Sequence, residues 1–272
     1  MKTQRFIHAW VLPGLSLLAV ACNDPDPQRT EATGQVQLRF DNRVGNQDLA
    51  LNSGQYRNAA GEAFTVSQLA YYISNIRLTR PDGSDYVVPP DSSYFLIQEN
   101  NPASHVARLS TVPAGNYAAV TFTIGVDSLR SVADISRRTG VLDPGVPGHS
   151  GMYWSWNSGY IFLKLEGSSP AAPATQNNRF FYHIGGFGGG FEGGPRTINN
   201  LRTVTLPLTG AGVAVQPGRP TAIELRADIS RVFDGTTPFG IAQYPGVMLA
   251  PFSARIADNY ARMFSVNAVN DL

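Results

Sequence analysis

The stretch Gly151-Met152-Tyr153-Trp154-Ser155-Trp156-Asn157-Ser158-Gly159-Tyr160-Ile161-Phe162-Leu163-Lys164-Leu165-Glu166-Gly167 decides how the chain is read. Its second half, Tyr160 to Glu166, is a short aromatic and aliphatic run bounded by Gly159 and Gly167, the pattern of a strand. In its first half Tyr153, Ser155 and Asn157 point one way and Trp154 and Trp156 the other. Upstream, Leu142 to Ser150 holds Pro144, Gly145, Pro147 and Gly148, so no regular element can form; it is a loop that delivers His149 to the Trp segment. Downstream, a polar and Pro-rich loop leads to a second aromatic strand, Phe180-Phe181-Tyr182-His183. Gly185 to Gly194 is too rich in glycine for a stable element; it reads as a mobile loop and matches no phosphate-binding fingerprint.

Working outward, strands recur. Gly34 to Asp41, Tyr72 to Leu78 and Ala119 to Asp127 alternate apolar and polar residues, and Thr203 to Leu208 and Ala222 to Ile229 read as two more strands. Pro81-Asp82-Gly83-Ser84 is a turn joining the second of these to Tyr86-Val87-Val88. Tyr94 to Ile97 is a further short strand, and Ser104 to Leu109 an edge on which His105 lies at the surface. Helix is predicted over Ser128–Thr139, with Ser128 as N-cap and Gly140 as terminator, and over Ala254–Phe264, with a short helix beginning at Ser230–Phe233. No internal repeat or composition break follows residue 34. The expectation is one all-β domain over 34–272, a two-sheet antiparallel β-sandwich with long loops and one or two short helices.

The N-terminus belongs to export rather than to the fold. Lys2 and Arg5 precede an apolar run from Phe6 to Val20, and Leu18-Ala19-Val20-Ala21-Cys22 has the look of a lipoprotein processing site. Residues 1–21 are read as a signal peptide, too short for a confident membrane span. Cys22 is read as the lipidated first residue of the mature protein, and residues 22–33 as a polar tether. This places the protein in the bacterial cell envelope, held by its lipid at the outer membrane and facing the periplasm or the exterior. The single cysteine is then spent, so neither a disulfide nor a thiol nucleophile is available. Losing the two leader cations takes the formal charge from +1 to −1, and no basic patch remains, so nucleic acid is not an expected partner.

The usual catalytic constellations are missing. No serine sits in a nucleophile elbow, and no two histidines stand four apart as in zinc proteases, so the protein is read as a non-enzyme. What stands out is His149, Met152, Trp154, Trp156, His183 and Lys164, the only lysine outside the leader. Two neutral imidazoles suit copper, and the Met152 thioether is a soft third donor. The same residues without metal are core aromatics and a hydrogen-bonded histidine.

Several motifs together resemble one family. They are Tyr71-Tyr72-Ile73-Ser74-Asn75-Ile76-Arg77-Leu78, Gly125-Val126-Asp127-Ser128, the 151–167 run, Phe181-Tyr182-His183-Ile184-Gly185, and Ile256-Ala257-Asp258-Asn259-Tyr260 with Met263-Phe264. In this order they resemble the MbnP-like family, periplasmic or surface proteins associated with copper and with methanobactin systems. The resemblance implies a β-rich copper-binding protein serving copper acquisition or homeostasis. By position His183 matches the family histidine before Ile/Leu-Gly, with His149 as a second ligand, and Trp154 and Trp156 match the Trp pair. In some relatives a tryptophan is oxidised to kynurenine by a partner dihaem enzyme related to cytochrome c peroxidases, which makes Trp154 or Trp156 the expected site here. The alternative from another class is a surface β-sandwich module that binds a partner protein or a glycan without metal.

Overall fold

The computed structural model describes residues 31–154, 159–190, 194–208 and 212–272. The signal peptide, Cys22, nearly all of the tether and Trp156 lie outside the described residues. The body of the chain is Ala32–Leu272.

Among the described residues, the longer strands are β1 (Thr33–Val44), β2 (Ala63–Thr79), β3 (Tyr94–Gln98), β4 (Val106–Pro113), β5 (Ala119–Ile124), β6 (Gly159–Ser168), β7 (Arg179–Gly185), β8 (Arg202–Pro207), β9 (Thr221–Asp228) and β10 (Phe264–Asp271). One sheet runs β10-β9-β1-β4, and the other runs β8-β5-β2-β6-β7 with β3 on the opposite edge of β2. The sandwich expected from the sequence is present, but its sheets are mixed. β1 pairs with β9 in parallel, Val36 opposite Thr221 through Arg43 opposite Asp228, and β7 pairs in parallel with Gly246–Val247. The physical reason is connectivity: strands this far apart in sequence are free of the hairpin geometry that forces antiparallel neighbours.

β1 shows why the pattern folds as it does. Val36, Leu38, Phe40 and Val44 are buried while their neighbours are more exposed, the period of a strand with one covered face. Between the sheets, Phe264 meets Phe40, Tyr71 and Phe122 edge-on, with ring centroids 6.1, 5.7 and 5.1 Å apart. β2 departs from alternation: Leu69 to Ser74 are all buried, because loops cover its outer face as well. That outer layer is a second apolar cluster of Ala70, Tyr72, Leu96, Leu142, Met152, Trp154, Tyr160, Phe162 and Phe187. Along one edge β2 changes partner, from β6 over residues 65–71 to β5 beyond Ile73. Its register shifts between Ser74 and Arg77, where Asn75 takes a φ of 51°, a conformation that asparagine tolerates better than most residues.

Both predicted helices are shorter than expected. The first, α1, covers Ser128–Ser131, and its N-cap is Asp127 rather than Ser128, the carboxylate accepting from the Arg130 backbone N–H. The segment then breaks into turns at Ile135–Arg137 and Gly140–Leu142. This bend carries Arg138 inward until it is 5% exposed, with its guanidinium over the Tyr153 ring and donating to the Ala133 carbonyl. The second, α2, covers Ser253–Tyr260, and Phe264 belongs instead to β10, where its ring is needed in the core. In the Gly-rich loop, Gly185 completes β7 and Phe187 bridges to Asn199; residues 191–193 lie outside the described residues.

Candidate functional site

On the outer face of the second sheet, β6 and β7 set Lys164 directly opposite His183, and Glu166 opposite Phe181. Glu166 therefore lies diagonal to His183, within reach of a long side chain. The His183 Nε2 is 2.8 Å from the Glu166 Oε1. The same oxygen lies 3.5 Å from the Lys164 Nζ, and the Arg179 guanidinium is 3.2 Å from Glu166 Oε2. One carboxylate thus serves an imidazole and two cations.

Across the sheet the row continues through Ala70 on β2 to Gln98 on β3. The loop before Tyr153 is fastened along this row. Gln98 Nε2 donates to the Gly148 carbonyl at 3.0 Å, and Lys164 Nζ donates to the Gly151 carbonyl at 3.1 Å. Two tyrosines hold the loop further back, Tyr72 donating to the Val141 carbonyl at 3.0 Å and Tyr160 to the Leu142 carbonyl at 2.7 Å. His149 sits between the two fastened glycines. Its Nδ1 is buried and has no hydrogen-bond partner.

Burial opposes charge on His183 and lowers its pKa, outweighing the raising effect of the Glu166 carboxylate. The ring is therefore neutral at neutral pH, and a neutral ring facing a carboxylate through Nε2 carries its proton there, leaving the lone pair on Nδ1. Burial works against the Glu166 charge, but the His183 hydrogen bond and the Lys164 ammonium prevail and hold its pKa below the ordinary value.

The predicted site residues separate into two groups. His183 sits beside Lys164 and Glu166, and His149 lies on the loop that Gln98 and Lys164 fasten at Gly148 and Gly151, with no hydrogen bond between the two imidazoles. Trp154 and Met152 are 5% and 1% exposed in the outer apolar cluster, Trp154 resting on Gly185, where an added Cβ would come within 2.7 Å of the indole. Trp156 lies outside the described residues. Among the described residues, no three His, Cys, Asp or Glu side chains converge as a ready-made metal cage. His105, expected at the surface, is instead drawn in: its Nε2 lies 3.0 Å from the Gln98 carbonyl and 3.6 Å from Glu99, which accepts from Asn42 at 2.8 Å.

Sequence reading overlooked Glu166, Gln98 and Arg179. For Glu166 a signal existed, because period two puts it on the same face as Lys164, two polar residues in an otherwise apolar strand. Gln98 and Arg179 have no such mark, since only strand register brings them here.

The MbnP family model matches residues 33–249, a span that includes every residue of this cluster. MbnP from Methylosinus trichosporium is a structural neighbour with 16% identity and a TM-score of 0.54, covering 88% of this chain and 99% of that one. A likeness at that identity is one of fold. No curated protein matches the chain.

Proposed function

The chain belongs to the MbnP family, and on that premise we propose that it is a lipid-anchored, extracytoplasmic copper-binding protein, not an enzyme, serving copper acquisition or homeostasis. The observation that carries this reading is the buried Nδ1 of His149, which has no partner although its loop is fastened on both sides of it. A buried polar atom left unpaired costs about 1–3 kcal/mol, a cost that a ligand on that nitrogen would offset. His183 supplies a second neutral imidazole, with its Nε2–H turned to Glu166 in the manner of carboxylates that orient metal-binding histidines.

The donor set fits copper. Two imidazoles are enough for the soft monovalent ion, and the surrounding Trp154, Met152 and Tyr160 keep the neighbourhood apolar. Bound copper would supply a soft, redox-active centre beside the Trp segment. The residues of the chain do the rest: Glu166 fixes the His183 tautomer, Lys164 and Gln98 pin the loop that carries His149, and the aromatic cluster limits water. Within this reading, Trp154 or Trp156 is the candidate for oxidation to kynurenine by a dihaem, cytochrome c peroxidase-like partner, and Cys22 is the lipid attachment point at the outer membrane.

Intact mass and metal content of protein isolated from its own host test these statements together. The expected result is a lipid adduct on Cys22, a stoichiometric amount of copper, and a mass change on the Trp154–Trp156 peptide. Unlipidated, copper-free protein would contradict the reading. The second reading, a metal-free module for a protein or glycan, draws on the three donors that already satisfy Glu166; it predicts no copper in the same preparation.

A further inference from the structure

We infer that Lys164 is a selectivity residue, a fixed positive charge beside the histidine site that disfavours divalent cations relative to monovalent copper. The inference rests on the copper reading and adds to it a discrimination between ions. Its basis is the placement of charge. The Lys164 side chain is 13% exposed and held at two points, the Gly151 carbonyl at 3.1 Å and Glu166 at 3.5 Å. It is therefore not a surface lysine free to swing away. Lys164 and His183 face each other across β6 and β7 and share the same Glu166 oxygen.

The remaining charges around His183 do not cancel it. Arg179 adds a second cation to the one carboxylate, leaving the group of three at a local charge of +1. From β2 and β3 the row contributes Ala70 and Gln98, both neutral. Glu99, next in sequence, is engaged elsewhere by Asn42 and His105. A dication entering this field meets twice the repulsion that a monocation meets, because Coulomb energy scales with the product of the charges. Imidazole ligands by themselves rank divalent metals by ligand-field preference, not by total charge. A fixed ammonium supplies what the ligands lack.

The test is competitive titration of the full protein with Cu(I) and with Zn(II), comparing the ratio of their dissociation constants among variants so that intrinsic metal preferences cancel. For Lys164→Met, Zn(II) binding tightens roughly tenfold more than Cu(I) binding, the order of magnitude of a unit charge acting at the effective dielectric of a partly buried site. Lys164→Arg keeps the wild-type ratio. Glu166→Gln moves the ratio the other way, toward Cu(I), even though both ions bind less tightly. If wild type and Lys164→Met both bind Cu(I) with the same ratio to Zn(II), the inference is overturned and the copper reading stands. If wild type takes up no Cu(I), the copper reading falls and takes the inference with it. Should Lys164→Met fail to fold, the sign of the Glu166→Gln shift decides.

Discussion

At the residue scale, His183 couples the site to pH. Its folded pKa lies below the ordinary imidazole value because burial disfavours the cation. In the unfolded chain the ring takes its proton near pH ~6.5, while the folded ring resists it. Stability therefore falls as pH drops below about 6.5 and stops falling only below the folded pKa. Glu166 acts in the same direction at lower pH: its depressed pKa gives stability that is present above the ordinary carboxylate range and lost as pH falls through the folded value. The expected outcome is a melting temperature that declines between pH 7 and pH 5, with the decline flattened in His183→Gln. Melting curves across that range check it; an unaltered slope in the variant would contradict the assignment. Much at this scale was legible in the sequence, since His149, His183 and Lys164 are conspicuous by rarity. Their partners were not, because Arg179 and Gln98 reach the cluster through register and nothing in their local sequence announces it.

At the scale of elements, the site is made by a strand pair and the loop laid across it. β6 and β7 must approach closely beneath Trp154, and Gly185 permits it: a Cβ there would lie 2.3 Å from the Tyr160 carbonyl oxygen and 2.7 Å from the indole. Gly185→Ala is expected to destabilise the fold by ~1–3 kcal/mol, the usual cost of overpacking. It should also change Trp fluorescence, because the ring has to shift. Denaturant unfolding with fluorescence detection checks both effects. The loop itself hangs from buried tyrosines, and Tyr160→Phe should cost about 1 kcal/mol by leaving the Leu142 carbonyl without its donor. The strands read well from alternation. The helix expected over Ser128–Thr139 stops at Ser131, because burial of Arg138 against Tyr153 and Tyr160 rewards a bend more than continuing the helix to Thr139 would. His105 was misread for a related cause: a polar edge segment looks exposed until Glu99 and Gln98 are placed beside it.

For the whole molecule, the two sheets are joined by aromatic side chains without a disulfide in the described body. Phe264 and Phe40 are the joints on the first sheet's side, each with three ring partners; Phe264 touches Phe40, Tyr71 and Phe122. Phe264→Ala should cost ~3–5 kcal/mol, as large-to-small changes at buried aromatics do, and unfolding by heat should remain a single transition at a lower temperature. The sandwich class could be read from the sequence, but two of its features could not. After Phe264, β10 mixes Ser265, Asn267, Ala268, Asn270 and Asp271 with only Val266 and Val269 and lacks a clear strand pattern, and the parallel β1–β9 pair depends on contacts between the two ends of the domain. A period-two pattern tells which face of a strand is buried, not which strand lies next to it.

On the proposed reading, copper is held by His183 on the outer face of the second sheet and by His149 on the loop fastened across it. The most direct test is a Cu(I) competition titration of the protein beside His183→Ala and His149→Ala. One tight site is expected in the wild type and at least a tenfold loss of affinity in each variant, the scale on which metal-site contacts act. Equal affinity in all three proteins would contradict it.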